Sequence, residues 1–299
     1  MSWSRQQLLL VGFCICAGSS TGAWAQDDGQ IPLQNDEFQP WALGFSLQTD
    51  EYDSQSLFTT FNWGVTENTW LFASAGRSTS PADRADISTD DILVGVDHSF
   101  GILGATLELE QWGENNAVES RDVRGSIYLH GDRYNVGIEH ERRDIDLTFF
   151  LPGPGDRRIA RSTSLTGDGT GIFFRADLTD WWRVYGSARE YDYSRRLAVL
   201  PRLDVFNLLS TSTLTLANSF LDDERHIGFE WRAGSKLFNL GLGSNTSAVD
   251  QSKLEFVSAS FLFPVSYRMD LEFNIGRSEP DFAESSLYGG IMLLIYGGR

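Results

Sequence analysis

The sequence predicts an all-β chain: an antiparallel up-and-down β-barrel that crosses a membrane on about fourteen strands. Three observations point there. Apolar residues alternate with polar or small ones in segments of about ten residues, the length of a tilted membrane-crossing strand. The connections sort by parity, short ones alternating with long ones. Trp, Tyr and Phe gather where segments meet the short connections, as aromatics do at a membrane boundary. A soluble β-sandwich has turns at similar spacing but no reason to sort loop length by parity. Short segments leave the count open between roughly 12 and 16 strands.

The 299 residues carry a net charge of -17 and a mean hydropathy of -0.24. Phosphates repel so acidic a chain, which argues against nucleic acid as a partner. The first element, "MSWSRQQLLLVGFCICAGSSTGAWAQ", has one Arg in its head, an apolar stretch from Leu8 to Ala17 and "AWA" before Gln26. That is the layout of a cleaved signal peptide over 1–25. Both cysteines, Cys14 and Cys16, lie inside it, so the exported chain would carry no disulfide. A short N-terminal segment, 26–40, would precede a barrel over 41–299.

The first strand reads "WALGFSLQTD", with Trp41, Leu43, Phe45 and Leu47 on one face and Ala42, Gly44, Ser46 and Gln48 on the other. Six more follow at 56–64, 69–77, 91–100, 105–112, 122–130 and 134–150. The second half continues at 171–177, 182–191, 225–233, 237–244, 254–263, 268–276 and 286–296. Between them the even-numbered connections are tight, as in "VTEN", "GILG", "GDR", "LTDW", "GSK" and "PVS". The odd-numbered ones are long and polar, among them "STSPADRADIST", "LPGPGDRRIARSTSLTGDGT" and the stretch 192–224. The expected aromatic girdle takes Trp41, Trp63, Trp70, Phe100, Tyr134, Trp181, Trp182, Trp231, Phe238, Phe263, Tyr267 and Tyr296.

On these features the stretch from Trp41 to Tyr296 resembles bacterial outer-membrane β-barrels as a class, porin-like in strand number. The resemblance implies a Gram-negative outer membrane, short turns and residues 26–40 on the periplasmic side, and contact with the barrel-assembly machinery. It also implies an assembly signal in the last strand, matched by Tyr288, Gly290, Leu293 and Ile295 with Tyr as the polar start. Many such chains stop on an aromatic, whereas this one runs on past Tyr296 with Gly-Gly-Arg.

Charge concentrates at the inward positions of strands five to ten. These are Glu108 and Glu110, then Asp122 and Arg124, then Glu139, Glu141 and Arg143. Arg175 and Asp177, Arg183 and Arg189, and Glu230 and Arg232 follow. Two readings stand side by side: a salt-bridge lattice that stiffens the wall, or the lining of a pore whose acid-rich and base-rich sectors set solute preference. The remaining strands turn mostly Gly, Ala, Ser, Thr and Asn inward, with Asp97, Asp270 and Glu272. The segment 192–224 is apolar for a loop and would either fold into the lumen or extend strands nine and ten as a hairpin.

The expected role is passive passage of small solutes through a monomer. A non-conducting barrel serving envelope integrity or adhesion through its loops is the alternative. A lipid-modifying enzyme is the least favoured. Of His98, His130, His140 and His226, only His226 sits near the outer rim where such an enzyme would want a base, and past the expected signal peptide the chain has no G-x-S-x-G. "GDGTG" (167–171) lacks the lysine and helix of a phosphate loop. No metal and no cofactor are expected. Loop blocks of charge suit docking to lipopolysaccharide: Asp83, Asp86, Asp90 and Asp91, then Asp222, Asp223 and Glu224, against Arg157, Arg158 and Arg161 and Arg195, Arg196 and Arg202.

Overall fold

The computed structural model describes residues 41–81, 87–114, 118–152, 158–194, 220–248, 251–281 and 284–297. The expected signal peptide, residues 26–40, most of the 192–224 stretch, the terminal Gly298 and Arg299, and Asp83, Asp86, Arg157, Arg195, Arg196 and Arg202 lie outside them, as do the side chains of Arg158 and Arg161.

Fourteen strands form one closed antiparallel barrel in simple up-and-down order. They are β1 (Trp41–Asp50), β2 (Gln55–Thr66), β3 (Thr69–Ser80), β4 (Ile87–Phe100), β5 (Leu103–Glu114), β6 (Val118–Gly131) and β7 (Tyr134–Pro152). The ring continues through β8 (Arg158–Asp177), β9 (Trp182–Tyr193), β10 (Leu221–Ala233), β11 (Lys236–Ser247), β12 (Lys253–Ser266), β13 (Met269–Pro280) and β14 (Ser286–Gly297). It shuts where β14 pairs with β1, in continuous register from Trp41 opposite Gly297 to Asp50 opposite Tyr288. In hydrocarbon no water can satisfy a bare N–H or C=O, so a spanning sheet has to close.

All fourteen expected strands are present, and their alternation reads directly onto the wall. In β1 the residues Ala42, Ser46 and Gln48 are buried inside, while Phe45 and Leu47 are exposed outside. Leu57, Ile92, Leu107, Ile127, Ile138, Ile172 and Ile275 are exposed outward in the same way. In a soluble protein this would be a defect; here it is the apolar band that meets lipid.

Parity of the connections is explained by turn chemistry. The β4–β5 and β10–β11 turns take left-handed glycines at Gly101 (φ 78°) and Gly234 (φ 65°), which two-residue hairpins favour. On the other side the strands run further than the sequence suggested. The long seventh connection is mostly strand: β7 and β8 pair from Tyr134 opposite Ala176 up to Pro152 opposite Arg158. A strand needs about ten residues to cross, so roughly half of this hairpin stands clear of the membrane. The sequence missed it because Ser, Thr, Gly and Arg alternate there without an apolar face.

Two girdle assignments are corrected. Trp70 and Tyr296 point into the barrel and are buried, whereas Trp63, Phe100, Tyr134, Trp181, Trp182, Trp231, Phe238 and Tyr267 are exposed outside. Trp70 and Tyr296 sit on the inward parity of β3 and β14, which proximity to a turn does not reveal. Trp182 stacks on Phe229 and Trp231 at centroid distances of 4.6 and 5.8 Å, tightening the outer belt at the short-turn end.

Closure can be read by cross-linking. Ser46 and Met292 face each other across the seam on the inner face. A chain lacking residues 1–25 and carrying Ser46→Cys with Met292→Cys should form an intramolecular disulfide when folded. The Phe45→Cys, Met292→Cys pair, on opposite faces, should not. Non-reducing gels before and after unfolding check it.

Candidate functional site

The inner wall of β5 to β10 carries a continuous network of charge. Its centre is Glu141 of β7, fully buried, which meets Arg143 at 2.7 Å, Arg124 at 3.1 Å and Arg189 at 3.2 Å. Arg124 of β6 also reaches Glu108 at 2.9 Å and Glu110 at 3.7 Å on β5. Arg143 approaches Asp122 at 3.6 Å. Arg189 of β9 holds Glu139 at 2.6 Å and approaches Glu224 of β10 at 3.7 Å. Three guanidiniums thus serve six carboxyls: Glu108, Glu110, Asp122, Glu139, Glu141 and Glu224.

A phenol completes the centre. The Tyr191 hydroxyl donates to Glu141 at 3.0 Å and accepts from Arg143 and Arg189, each at 2.9 Å. The Arg143 guanidinium lies over the Tyr191 ring at 4.4 Å, a cation–π contact strengthened by desolvation. Asp122 is fixed from its other side by the Trp112 indole N–H at 3.1 Å and by the Ser120 hydroxyl.

The network crosses β8 without using it, and glycine makes this possible. Gly167, Gly169 and Gly171 hold the inward positions of β8 between the charged strands β7 and β9. A Cβ on Gly169 would stand 2.6 Å from Tyr191, and one on Gly171 would stand 2.5 Å from the Glu139 carboxylate. The glycines of "GDGTG" are therefore the floor on which Arg189, Tyr191 and Glu139 lie.

Smaller polar stations flank the centre. Toward the short turns, Asp97 of β4 accepts from Tyr128 at 2.8 Å and from Thr106 at 2.8 Å. Arg183 spans Asp177 at 2.6 Å and Glu230 at 3.2 Å, and Arg232 lies 3.9 Å from Glu230. Tyr296 donates to Asp270 at 3.0 Å. The opposite wall is hydroxyl-rich, with Ser46, Ser56, Thr60, Ser74, Ser258 and Ser260 all buried.

All thirteen inward charges named from the sequence lie on the inner face, by strand parity and burial. Glu108, Glu110, Asp122, Arg124, Glu139, Glu141, Arg143 and Arg189 come together in the central network. Arg183, Glu230, Asp177 and Arg232 form a separate station nearer the short turns, and Arg175 lies on β8 only partly buried. Of the assembly-signal residues, Tyr288 is buried inside and Leu293 and Ile295 face outward, half-buried. The sequence reading missed Tyr191 because it searched for charge alone. It also placed Asp91 and Glu224 in solvated loops, and both are buried in the wall. Each keeps the inward parity of its strand: Asp91 stood at the very start of the segment read as strand and Glu224 just before one, and both strands begin earlier, at Ile87 and Leu221. Asp90, by contrast, is outside, in a bidentate pair with Arg77 at 2.6 and 2.9 Å.

Among the described residues no group of three or more His, Cys, Asp or Glu is arranged to hold a metal. His226 is inside the barrel, between the rings of Tyr185 and Phe256 at centroid distances of 5.6 and 6.0 Å.

A closed ring of fourteen antiparallel strands with an apolar exterior and a polar interior defines an outer-membrane-type β-barrel. Known structures agree at the level of fold. A FadL homologue of Pseudomonas aeruginosa matches with a TM-score of 0.52 at 9% identity, over 85% of this chain and 88% of that one. OmpT of Vibrio cholerae matches with a TM-score of 0.50 at 8% identity, over 86% of this chain and 96% of that one. No family model matches the sequence, and no curated protein matches it.

Removing one partner from a buried ion network strands the others without water. Arg124→Ala should therefore destabilise the folded barrel by about 3–5 kcal/mol. Arg77→Ala, which breaks an exposed pair, should cost less than about 1 kcal/mol. Denaturant unfolding in lipid vesicles, followed by tryptophan fluorescence, separates the two. Gly169→Leu should behave like Arg124→Ala, because its side chain displaces Tyr191.

Proposed function

We propose that this outer-membrane barrel is a narrow, cation-preferring conduit for small polar solutes, acting as a monomer and without catalysis. One observation carries the reading: the inner face is divided into a hydroxyl wall and a charged wall on which carboxyls outnumber guanidiniums. The hydrogen bonds and ion pairs of the charged wall link strands that are adjacent or one apart around the ring, so the network runs along the wall. A path beside it meets oriented carboxyls that outnumber the guanidiniums, and rings or walls of acidic side chains set ion preference in pores. Fourteen strands enclose more room than eight, whose interior side chains fill. A tight inner face implies a conductance well below that of a wide sixteen-stranded channel.

The second reading is a barrel with a sealed lumen that serves the envelope through its loops. It is favoured by the dryness of the wall: Glu141 is 0%, Arg143 1% and Leu93 0% exposed.

Planar-bilayer recording on refolded protein discriminates the two. The conduit predicts small, discrete steps and a reversal potential that favours K⁺ over Cl⁻ in a KCl gradient. Glu139→Gln, which keeps the shape but removes one negative charge, should move that reversal potential toward zero. An electrically silent wild type that is folded by its heat-dependent gel shift would overturn the conduit in favour of the sealed barrel.

A further inference from the structure

The outer face of the barrel carries a feature that conduction does not use. A crevice of about 450 Å³ lies on the wall across β10 to β13. Its floor is a row of apolar side chains in direct register, Ile227 opposite Leu242 and Leu242 opposite Val257. All three are exposed. Next along this row stands Arg277, opposite Val257. One step up the wall Arg225 stands opposite Ser244, and Ser244 opposite Glu255. The two arginines thus bracket the crevice from either side.

Height fixes what can reach it. Arg225 lies eight residues before Ala233, where β10 ends at a short turn, and Arg277 eight residues after Met269, where β13 begins at one. A tilted strand climbs roughly 20 Å in that distance, close to the full height of the apolar band. Below each arginine the outward positions are apolar: Ile227, Phe229 and Trp231 on β10, Ile275 and Phe273 on β13. Arg225 and Arg277 are the first charges above the band, at the level of headgroups in the outer leaflet.

We infer that this crevice binds the phosphorylated headgroup of an outer-leaflet lipid, with Arg225 and Arg277 on phosphate and an acyl chain along Ile227, Leu242 and Val257. The exposed guanidiniums and the apolar row between them both point to it. The guanidinium fork matches a phosphate, and it is less strongly hydrated than an ammonium, which suits a membrane boundary. Both arginines remain more than half exposed. Arg225 meets Asp223 through its Nε at 3.3 Å, and Arg277 meets Glu279 through one terminal nitrogen at 2.9 Å. Each has five N–H donors, so these side contacts orient the groups and leave donors turned outward. Arg77, exposed on the wall of β3, is different: Asp90 occupies its fork in bidentate fashion. Glu255 and Glu279, directly opposite each other on the rim, repel any anion, so the phosphate is confined to the flanks where the arginines stand.

The test uses the refolded chain in detergent, with diphosphoryl lipid A as the probe and retained lipid counted by native mass spectrometry. Wild type should retain lipid A, and the Arg225→Ala, Arg277→Ala double variant should need about tenfold more lipid for equal occupancy. Each single Arg→Gln variant should fall between them, and Arg77→Ala should match wild type. The residues are on the surface, and the heat-dependent gel shift reports folding of every variant. Equal retention by wild type and double variant overturns the site. So does competition by millimolar inorganic phosphate alone, which would mark a free-anion site rather than a lipid site. Conductance of the double variant should equal that of wild type, so the lipid site and the conduit succeed or fail separately.

Discussion

Pairing between β14 and β1 is the constraint on which the rest of the molecule depends. Without it two strands would present bare N–H and C=O groups to hydrocarbon, at several kcal/mol each. The seam is built for close approach. A side chain at Gly290 would lie 2.6 Å from Gln48 and 2.7 Å from the Leu47 carbonyl, so the chains can meet there only over glycine. Once the ring is shut there is no edge left to guard, and the wall stands without cross-links.

Closure also decides what the inner charges are for. A buried ion network contributes little net stability compared with a well-packed apolar replacement, because desolvation offsets the Coulombic gain. Its value here lies in register. Side chains alternate with period two, so a slip of one residue in β7 would turn Glu139 out into the apolar band, and Glu141 and Arg143 out to where Arg142 and Asp144 now stand exposed, away from the partners they hold. Each charge near the bilayer centre costs about 2.5–3.5 kcal/mol even on the most lenient scale. The network therefore penalises the wrong register far more than it rewards the right one. The glycine strand β8 belongs to the same device. It has no inward side chain of its own at Gly167, Gly169 or Gly171, and is held by what β7 and β9 lay across it.

Strand number, inward parity and the sorting of loops were legible in the sequence because the membrane imposes one period and one length on every crossing. What was illegible is equally physical. The upper half of the β7–β8 hairpin leaves the membrane, and with it the need for an apolar face, so Ile159 to Thr166 looked like loop. Asp91 and Glu224 looked solvated because each sits among other acids, Asp90 on one side and Asp222 and Asp223 on the other; only parity separates them from neighbours that face out. Tyr191 is a hydrogen-bond hub without charge, and nothing in its immediate neighbourhood marks it. The geometry separates Arg183, Glu230, Asp177 and Arg232 from the central network although all belong to one run of inward charges, because height on the wall is not written in local sequence.

The last strand poses the register problem in its hardest form. In "LYGGIMLLIYGGR" both faces are apolar: Ile291, Leu293 and Ile295 turn outward, while Met292 and Leu294 pack inside with Ala42 and Leu262. Hydrophobic alternation cannot tell one face from the other there. Two tyrosines can. Tyr288 and Tyr296 are buried inside, and Tyr296 donates to Asp270 on the neighbouring strand. A one-residue slip would leave that carboxylate without its phenol and thrust both hydroxyls into lipid. The residue after Tyr296 locks the same choice from outside. A side chain at Gly297 would run into the indole of Trp41, its partner across the seam. The glycine beyond the terminal aromatic thus gives Trp41 a place to lie flat, and the ring closes with an aromatic covering its joint.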